Sequence, residues 1–197
     1  MGQDPNPPLV LGISGSPRPR SNTRIILERV LAGAGEAGAQ TDLTSLRDLD
    51  MSSCRHCGGC DRTGRCIVQD DMQQVYPKLR AARHLLLASP IQFAAVSANA
   101  KAMIDRCQAS WVETYRLKRR PTDLTGERRG VFIATCGGPD LRVFEYAQHT
   151  VKAFFNSTGF RYWADLFETN TDQPPPVSER TDLLARAQQL GRDLMGP

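Results

Sequence analysis

The sequence predicts an α/β fold in which a five-stranded parallel sheet is covered by helices on both faces. Short runs rich in apolar residues alternate along the chain with segments whose apolar residues recur at helical spacing. These runs are largely continuous rather than alternating with polar residues, as expected for strands buried on both faces. The length of 197 residues suits one domain of this kind.

Each element is justified by its local pattern, in chain order. Five apolar runs predict strands at residues 9–13, 41–46, 84–88, 131–135 and 160–166. Five segments with apolar residues three and four apart predict helices at residues 23–37, 70–82, 99–115, 143–157 and 183–194. Asp70 and Asp71 suit the positive end of the second helix, and Gly137 and Gly138 follow the fourth strand as a stop signal. Five strands favour the flavodoxin-like order 2-1-3-4-5, a three-layer sandwich, over a six-stranded dinucleotide-binding sheet.

The domain organisation follows from where this alternation starts and where it breaks. Residues 9–197 form one predicted domain, and residues 1–8 form a proline-rich tail that we expect to be disordered. Residues 50–69 interrupt the pattern as a cysteine-rich insertion between the second strand and its helix. No length remains for a separate substrate domain, so we expect a second subunit to complete the active site.

Composition and charge exclude several classes of protein. An apolar fraction of 40% and a charged fraction of 23% exclude wholesale disorder. No apolar run approaches the ~20 residues that a membrane helix needs, and the start of the chain lacks an apolar signal core, so we expect a cytoplasmic protein. The net charge is +4, and the basic segment 118–129 lacks interleaved aromatic residues. We therefore expect a solvated surface there and no nucleic-acid partner.

The loop after the first strand predicts an anion site. It offers hydroxyl, amide and guanidinium donors beside a helix N-terminus: Ser14, Ser16, Arg18, Ser21, Asn22 and Thr23. A single helix cap would not require all of these groups together. Because the loop has neither a dinucleotide nor a P-loop glycine pattern, we expect the phosphate of a mononucleotide, and at this place in the fold FMN.

The loops after the third and fourth strands are expected to reach the same ligand. The first of them carries Pro90, Ile91, Gln92 and Phe93, and we expect Phe93 to form a wall of the ring site. The second carries Cys136, Gly137 and Gly138, whose glycines allow the backbone to approach a flat ring. The Cys136 thiol is expected near the ring, where it either takes part in chemistry or simply packs.

Four of the six cysteines form one cluster in the sequence. Cys54, Cys57, Cys60 and Cys66 have the spacing C-x2-C-x2-C-x5-C, and the first three match the start of the bacterial ferredoxin motif. This pattern favours a [4Fe-4S] cluster. A zinc site, which usually uses two separated pairs, and a metal-free thiol or disulfide site remain alternatives.

Together these motifs resemble the iron–sulfur flavoproteins, a branch of the flavodoxin-like NAD(P)H-dependent FMN reductase superfamily. The resemblance is carried by motifs from about Val10 to Trp111. They are the G-S-P-R-x-x-S-N-T loop, the cysteine block, Asp70-Asp71-Met72, Ser89-Pro90-Ile91 and Lys101-x3-Asp105-Arg106.

The resemblance implies cofactors, partners and residue roles. It implies FMN at a subunit interface, a nearby [4Fe-4S] cluster, a homodimer or dimer of dimers, and ferredoxin as an electron donor. It assigns the phosphate to Ser16, Arg18, Ser21, Asn22 and Thr23, the ring to Pro90, Ile91, Gln92 and Phe93, and iron to Cys54, Cys57, Cys60 and Cys66. Two positions depart from the family pattern, Gln92 where relatives often carry Tyr and Pro19-Arg20 where Lys-Gly is usual.

The leading functional hypothesis is an FMN-dependent oxidoreductase that passes electrons between a protein or nicotinamide donor and an acceptor through the cluster and FMN. A second hypothesis keeps FMN without a cluster, as an NAD(P)H-dependent flavin or quinone reductase. A third is a non-enzymatic electron carrier or redox sensor. The sequence assigns no general acid or base, so no catalytic residue is predicted.

Overall fold

Six strands form one sheet in the computed structural model, which describes residues 7–196. The strands are β1 (Leu9–Ser14), β2 (Gln40–Ser45), β3 (His84–Gln92), β4 (Ala95–Val96), β5 (Arg129–Thr135) and β6 (Arg161–Glu168). Five of them are parallel, in the spatial order β2-β1-β3-β5-β6. Of the tail predicted at residues 1–8, residues 1–6 lie outside the described residues, and the Pro8 carbonyl accepts a hydrogen bond from Gln40.

The prediction of five strands is wrong, because the chain reverses beyond β3. Phe93 and Ala94 both adopt a positive φ, of 50° and 59°, and so turn the backbone through a tight hairpin. The two residues of β4 then pair antiparallel with Ile91 and Gln92. The five parallel strands keep the expected arrangement, with β5 and β6 standing where the sequence predicted strands four and five.

Helices cover both faces of this sheet. They are α1 (Asn22–Glu36), α2 (Met72–Ala81), α3 (Ala98–Arg106), α4 (Gln108–Trp111), α5 (Val143–Ser157) and α6 (Thr181–Leu194). The single helix predicted at residues 99–115 is divided, because α3 ends at Arg106 and α4 passes into a π-helical turn at Val112–Arg116. No helix among residues 7–196 is both long enough and apolar enough to cross a membrane.

Alternate strand residues point to opposite faces and build two separate cores. Leu85 and Leu87 of β3 belong to the core under α2, α3 and α5, whereas Leu86 and Ala88 belong to the core under α1 and α6. This burial on both faces is the reason for the continuous apolar runs in the sequence. Since the long strands are parallel, their carboxyl ends meet at one edge, and their loops are available to form a site there.

Candidate cofactor site

A cleft of about 270 Å³ lies at the carboxyl edge of the sheet. Loops after β1, β3, β5 and β6 form its walls. It is lined by Ser16, Pro17, Arg18, Arg20, Ser21, Asn22, Thr23, Pro90, Ile91, Gln92, Thr135, Cys136, Gly137, Thr171 and Asp172. Ten of the thirteen residues predicted to bind a cofactor are therefore brought to one surface, and Ser14, Phe93 and Gly138 are not among the lining residues.

The loop after β1 presents polar donors around the start of α1. Ser21 caps the helix, since its Oγ accepts a hydrogen bond from the Arg24 backbone N–H at 3.2 Å. The Ser16 Oγ accepts a hydrogen bond from the Arg18 backbone N–H, also at 3.2 Å. The side chains of Arg18 and Arg20 are exposed at the rim of the cleft. Hydroxyl groups, a helix N-terminus and two cations together suit a phosphate group.

This loop is held in place from behind. The Gly15 N–H donates to the Ala88 carbonyl at 2.7 Å, and the Ser97 hydroxyl donates to the Gly15 carbonyl at 2.5 Å. A Cβ at Gly15 would lie 2.8 Å from the Cβ of Ala100, so only glycine fits between the loop and α3. Ser14 is buried beneath this contact, which explains its absence from the cleft surface. The donors are thus fixed before any ligand arrives.

The loop after β3 contributes only part of the predicted ring site. Pro90, Ile91 and Gln92 line the cleft. Phe93 stands at the hairpin tip between β3 and β4, where its positive φ and full exposure place its ring outside the cleft surface. Sequence reasoning missed this orientation because a left-handed phenylalanine has no local sequence signal.

The loop after β5 packs against the loop after β6. The Thr171 N–H and hydroxyl both donate to the Cys136 carbonyl at 3.1 Å, and the Asn22 amide donates to the Thr171 carbonyl at 3.3 Å. A Cβ at Gly137 would fall 2.1 Å from an Asp172 carboxylate oxygen, so a larger residue here would displace the Asp172 side chain. Burial raises the pKa of the Cys136 thiol, which contacts the Gly138 carbonyl at 3.1 Å.

Thr171 and Asp172 are lining residues that sequence reasoning missed, as are Pro17, Arg20 and Thr135. The residues predicted to bind a cofactor all lie in or beside the loops after the first, third and fourth predicted strands. The available signal was the strand order itself, because the fifth parallel strand ends at the same edge of the sheet.

The cysteine-rich segment is an irregular loop between β2 and α2 that surrounds a second cavity. All four clustered cysteines line this cavity of about 280 Å³. Cys54, Cys60 and Cys66 are partly buried, Cys57 is exposed, and all four thiols are free. Burial raises the pKa of Cys60, and the neighbouring Cys66 and Cys54 thiols raise it further. The loop therefore gathers its thiols around one space.

The turns of this loop depend on residues with positive φ. His56, Gly58 and Gly64 have φ values of 50°, 71° and 72°. A Cβ at Gly64 would lie 2.9 Å from the Cβ of Glu113, so glycine lets the loop pack closely against the π-helical turn. The Gly64 N–H donates to the Cys60 carbonyl at 2.8 Å and closes the turn before Cys66.

Four thiols belong to the lining of the second cavity, and thiolates are ligands both of iron–sulfur clusters and of structural zinc ions. Within the described part of the chain, no three His, Cys, Asp or Glu side chains stand together as ligands of one metal ion. A cubane cluster instead takes one thiolate at each of four separate irons, so its ligands surround a larger volume than a zinc ion requires. Four thiols around one cavity match that requirement.

The sequence is similar to known proteins over most of its length. The profile of the NADPH-dependent FMN reductase family matches residues 8–162. An iron-sulfur flavoprotein from Archaeoglobus fulgidus is 38% identical over 151 residues, which cover 77% of this chain and 73% of the relative. An iron-sulfur flavoprotein from Methanocaldococcus jannaschii is 38% identical over 97 residues, which cover 49% of this chain and half the length of that relative.

Solved structures share the fold at low sequence identity. An NAD(P)H:quinone oxidoreductase from Methanothermobacter marburgensis has a TM-score of 0.71 at 19% identity, covering 97% of this chain and 98% of its own. An azoreductase from Bacillus anthracis has a TM-score of 0.70 at 16% identity, covering 94% and 99%. These structures establish the flavodoxin-like architecture. The sequence matches show that the chain belongs to the NADPH-dependent FMN reductase family of oxidoreductases and, within it, to the iron–sulfur flavoproteins.

Proposed function

We propose that this protein is an FMN-dependent oxidoreductase that passes electrons between a protein or nicotinamide donor and an acceptor through a [4Fe-4S] cluster and FMN. The observation that carries the proposal is the presence of two built sites in one domain. One is a cleft with phosphate donors at the carboxyl edge of the sheet, and the other is a cavity lined by four free thiols. The Archaeoglobus fulgidus relative is an iron-sulfur flavoprotein, which supports the presence of an iron–sulfur group together with a flavin.

The polar loop after β1 would hold the FMN phosphate. Ser16, Ser21, Asn22 and Thr23 supply neutral donors there, and Arg18 adds a charge-assisted hydrogen bond. Pro90, Ile91, Gln92, Cys136 and Gly137 would contact the ring and exclude water from it. Phe93 is fully exposed and lies outside the cleft surface, so it would contact a second subunit instead of forming a wall of the ring site.

The four cysteines would hold the cluster as thiolates. Cys54, Cys57, Cys60 and Cys66 supply one sulfur each. When bound, FMN exchanges electrons singly or in pairs and the cluster exchanges them singly, so the pair of cofactors joins a one-electron carrier to two-electron chemistry. The chain contributes binding, orientation and electrostatics, and no side chain is assigned as a general acid or base.

Partners follow from the surface around the thiols. Arg55, Arg62 and Arg65 are exposed on the cysteine-rich loop and would attract an acidic electron carrier such as ferredoxin. NAD(P)H is the alternative donor, as the family name suggests. We further propose a homo-oligomer, a dimer or tetramer, that completes the FMN site, and a cytoplasmic location, where free thiols persist.

The decisive experiment is anaerobic purification followed by an absorbance spectrum and analysis of iron, sulfide and flavin. We expect one FMN and about four irons per chain, the number that a [4Fe-4S] cluster holds. Cys66→Ser should lower the iron content, whereas Cys136→Ser, which alters a cysteine outside the thiol cavity, should leave it unchanged. Flavin without iron or sulfide in the wild-type protein would overturn the cluster.

Two other functions are separated by the electron acceptor. A cluster-free reductase, favoured by the fold shared with an NAD(P)H:quinone oxidoreductase, would oxidise NAD(P)H rapidly with a quinone. A non-enzymatic carrier or redox sensor would accept electrons from a protein donor and turn over no small molecule. The assays are anaerobic reduction by ferredoxin, anaerobic reduction by NAD(P)H, and turnover with a quinone. Rapid NAD(P)H oxidation with a quinone favours the reductase, and reduction by a protein donor without small-molecule turnover favours the carrier or sensor.

A further inference from the structure

Arg106, the last residue of α3, joins the two ends of the cysteine-rich loop. Its Nη1 donates to the Ser52 carbonyl at 2.9 Å, just before Cys54. Both guanidinium ends also donate to the Asp70 carboxylate, just after the loop, with Nη2 to Oδ1 at 3.0 Å. The side chain is only 1% exposed, although arginine is among the residues least often buried. This single side chain therefore closes the loop at its base.

The anchoring is reinforced by the partners of Arg106. The Asp70 carboxylate accepts hydrogen bonds from the backbone N–H groups of Ser52 and Met72, both at 3.1 Å. The Tyr76 hydroxyl donates to the Arg106 carbonyl at 2.9 Å, which ties α2 to the end of α3. The hydrogen bonds from Arg106 lower the pKa of Asp70, so the carboxylate stays charged beside the guanidinium. The pair is thus a fixed, charged base for the loop.

Arg106 also faces the thiols. It lines the same cavity as Cys54, Cys57, Cys60 and Cys66. Its Nε is buried and has no hydrogen-bond partner among residues 7–196. An unpaired buried N–H of a cation is costly, and such a group is explained when a ligand in the cavity accepts its hydrogen bond. A thiolate-bound cluster in this cavity would be a negatively charged acceptor for that hydrogen bond.

We propose that Arg106 is a positioning residue for the cluster, which closes the loop that carries the four cysteines and holds a positive charge against the bound cluster. This inference rests on the proposed function and extends it. The cluster with its four thiolates becomes more negative on reduction, so a nearby cation stabilises the reduced form more than the oxidised form. The carboxylate of Asp70, which is paired with Arg106, would destabilise the reduced form relative to the oxidised form.

The test compares variants that change the charge in opposite senses. Arg106→Gln removes the cation, Arg106→Lys retains it without the two-pronged fork, and Asp70→Asn removes the anion. Arg128→Gln is the matched control, since Arg128 is also buried and bonds three backbone carbonyls, but at the amino end of β5. The readouts are iron and sulfide content, and the midpoint potential of the cluster by anaerobic titration followed by electron paramagnetic resonance.

We expect Arg106→Gln to lower the ratio of reduced to oxidised cluster at a fixed potential about tenfold, which equals about 59 mV for one electron. Arg106→Lys should stay close to the wild type, and Asp70→Asn should raise the ratio. Arg128→Gln should leave the ratio unchanged. If the Arg106→Gln protein binds no cluster, the Arg106→Lys protein is decisive. Iron retained by Arg106→Lys supports the role of the positive charge, and iron lost from Arg106→Lys overturns that role.

Two other results would overturn the inference. The first is an unchanged potential in an iron-loaded Arg106→Gln protein. The second is a shift in the same direction for Arg106→Gln and Asp70→Asn, which a purely structural role would produce. Iron and sulfide in the wild-type protein are measured first. Their absence overturns the proposed function itself, whereas a loaded wild type with unresponsive variants overturns only the role of Arg106.

Discussion

Arg18 illustrates at the scale of one residue how a local motif becomes part of a site. Its backbone N–H is fixed by Ser16, while its guanidinium remains exposed at the rim of the phosphate-suited cleft. Among residues 7–196 the Arg18 side chain makes no ion pair, so it can bond an incoming anion without breaking one there. Because the motif is contiguous in the sequence, its residue types alone predict an anion site.

We expect Arg18→Ala to weaken FMN binding about 10- to 100-fold, the size of one lost hydrogen bond to a charged group. Flavin fluorescence titration of the apoprotein measures the dissociation constant. Arg29→Ala, on the exposed side of α1 and outside the cleft, makes the same change in net charge and serves as the control. Equal affinities for the two variants would remove Arg18 from the phosphate site.

Other residues could not be assigned from sequence alone. Phe93 and Gly138 follow strands at the correct edge, yet neither lines the cleft. At Phe93 the positive φ places the exposed ring outside the cleft. Thr171 and Asp172 enter the cleft because their loop is hydrogen-bonded to the loop after β5, where Thr171 donates to the Cys136 carbonyl. The direction of a side chain in a loop depends on φ and on distant contacts, and neither is encoded in local residue type.

At the scale of elements, helices α1 and α6 pack against each other at close range. Each helix presents a glycine to the backbone of the other. A Cβ at Gly33 would lie 1.9 Å from the Gln188 carbonyl oxygen, and a Cβ at Gly191 would lie 2.0 Å from the Val30 carbonyl oxygen. The two helices can cover their face of the sheet together only because these positions lack a side chain.

Gly33→Ala should therefore lower the free energy of unfolding by at least about 2 kcal/mol, since the helices must separate to admit the methyl group. Gly35→Ala is a matched control in the same helix, because its Cβ would meet nothing closer than the Thr41 methyl at 4.0 Å. This control should raise the free energy of unfolding by about 0.5–1 kcal/mol through helix propensity. Urea denaturation measures both values, and a neutral Gly33→Ala would contradict the close packing.

The whole molecule leaves large apolar side chains exposed near the carboxyl edge of the sheet. Phe93 is fully exposed at the β3–β4 hairpin, and Leu141 and Tyr146, before and within α5, are 65% and 67% exposed. Large apolar side chains left exposed on a protein surface are typical of interfaces with other proteins. They support the proposal that a second copy of the chain covers this edge and completes the FMN site.

We expect sedimentation velocity to find a dimer or tetramer, and Phe93→Asn to weaken its association at least about tenfold, as expected for a buried aromatic anchor. Asparagine tolerates the positive φ at this position, so the backbone should remain unstrained. Phe93→Leu keeps an apolar side chain and is the control. A monomeric wild-type protein at micromolar concentration would contradict the proposed oligomer.

The sequence by itself determined the alternation of strands and helices, the polar loop before α1 and the cysteine spacing. Each is a periodic or contiguous pattern whose physical cause lies within a few residues. Tertiary structure decided the sixth strand, the entry of the loop after β6 into the cleft, and the meeting of Ser52, Asp70 and Arg106 at the base of the cysteine-rich loop. Those features join residues far apart in the chain, and only the packing of helices on the sheet brings such residues within hydrogen-bonding distance.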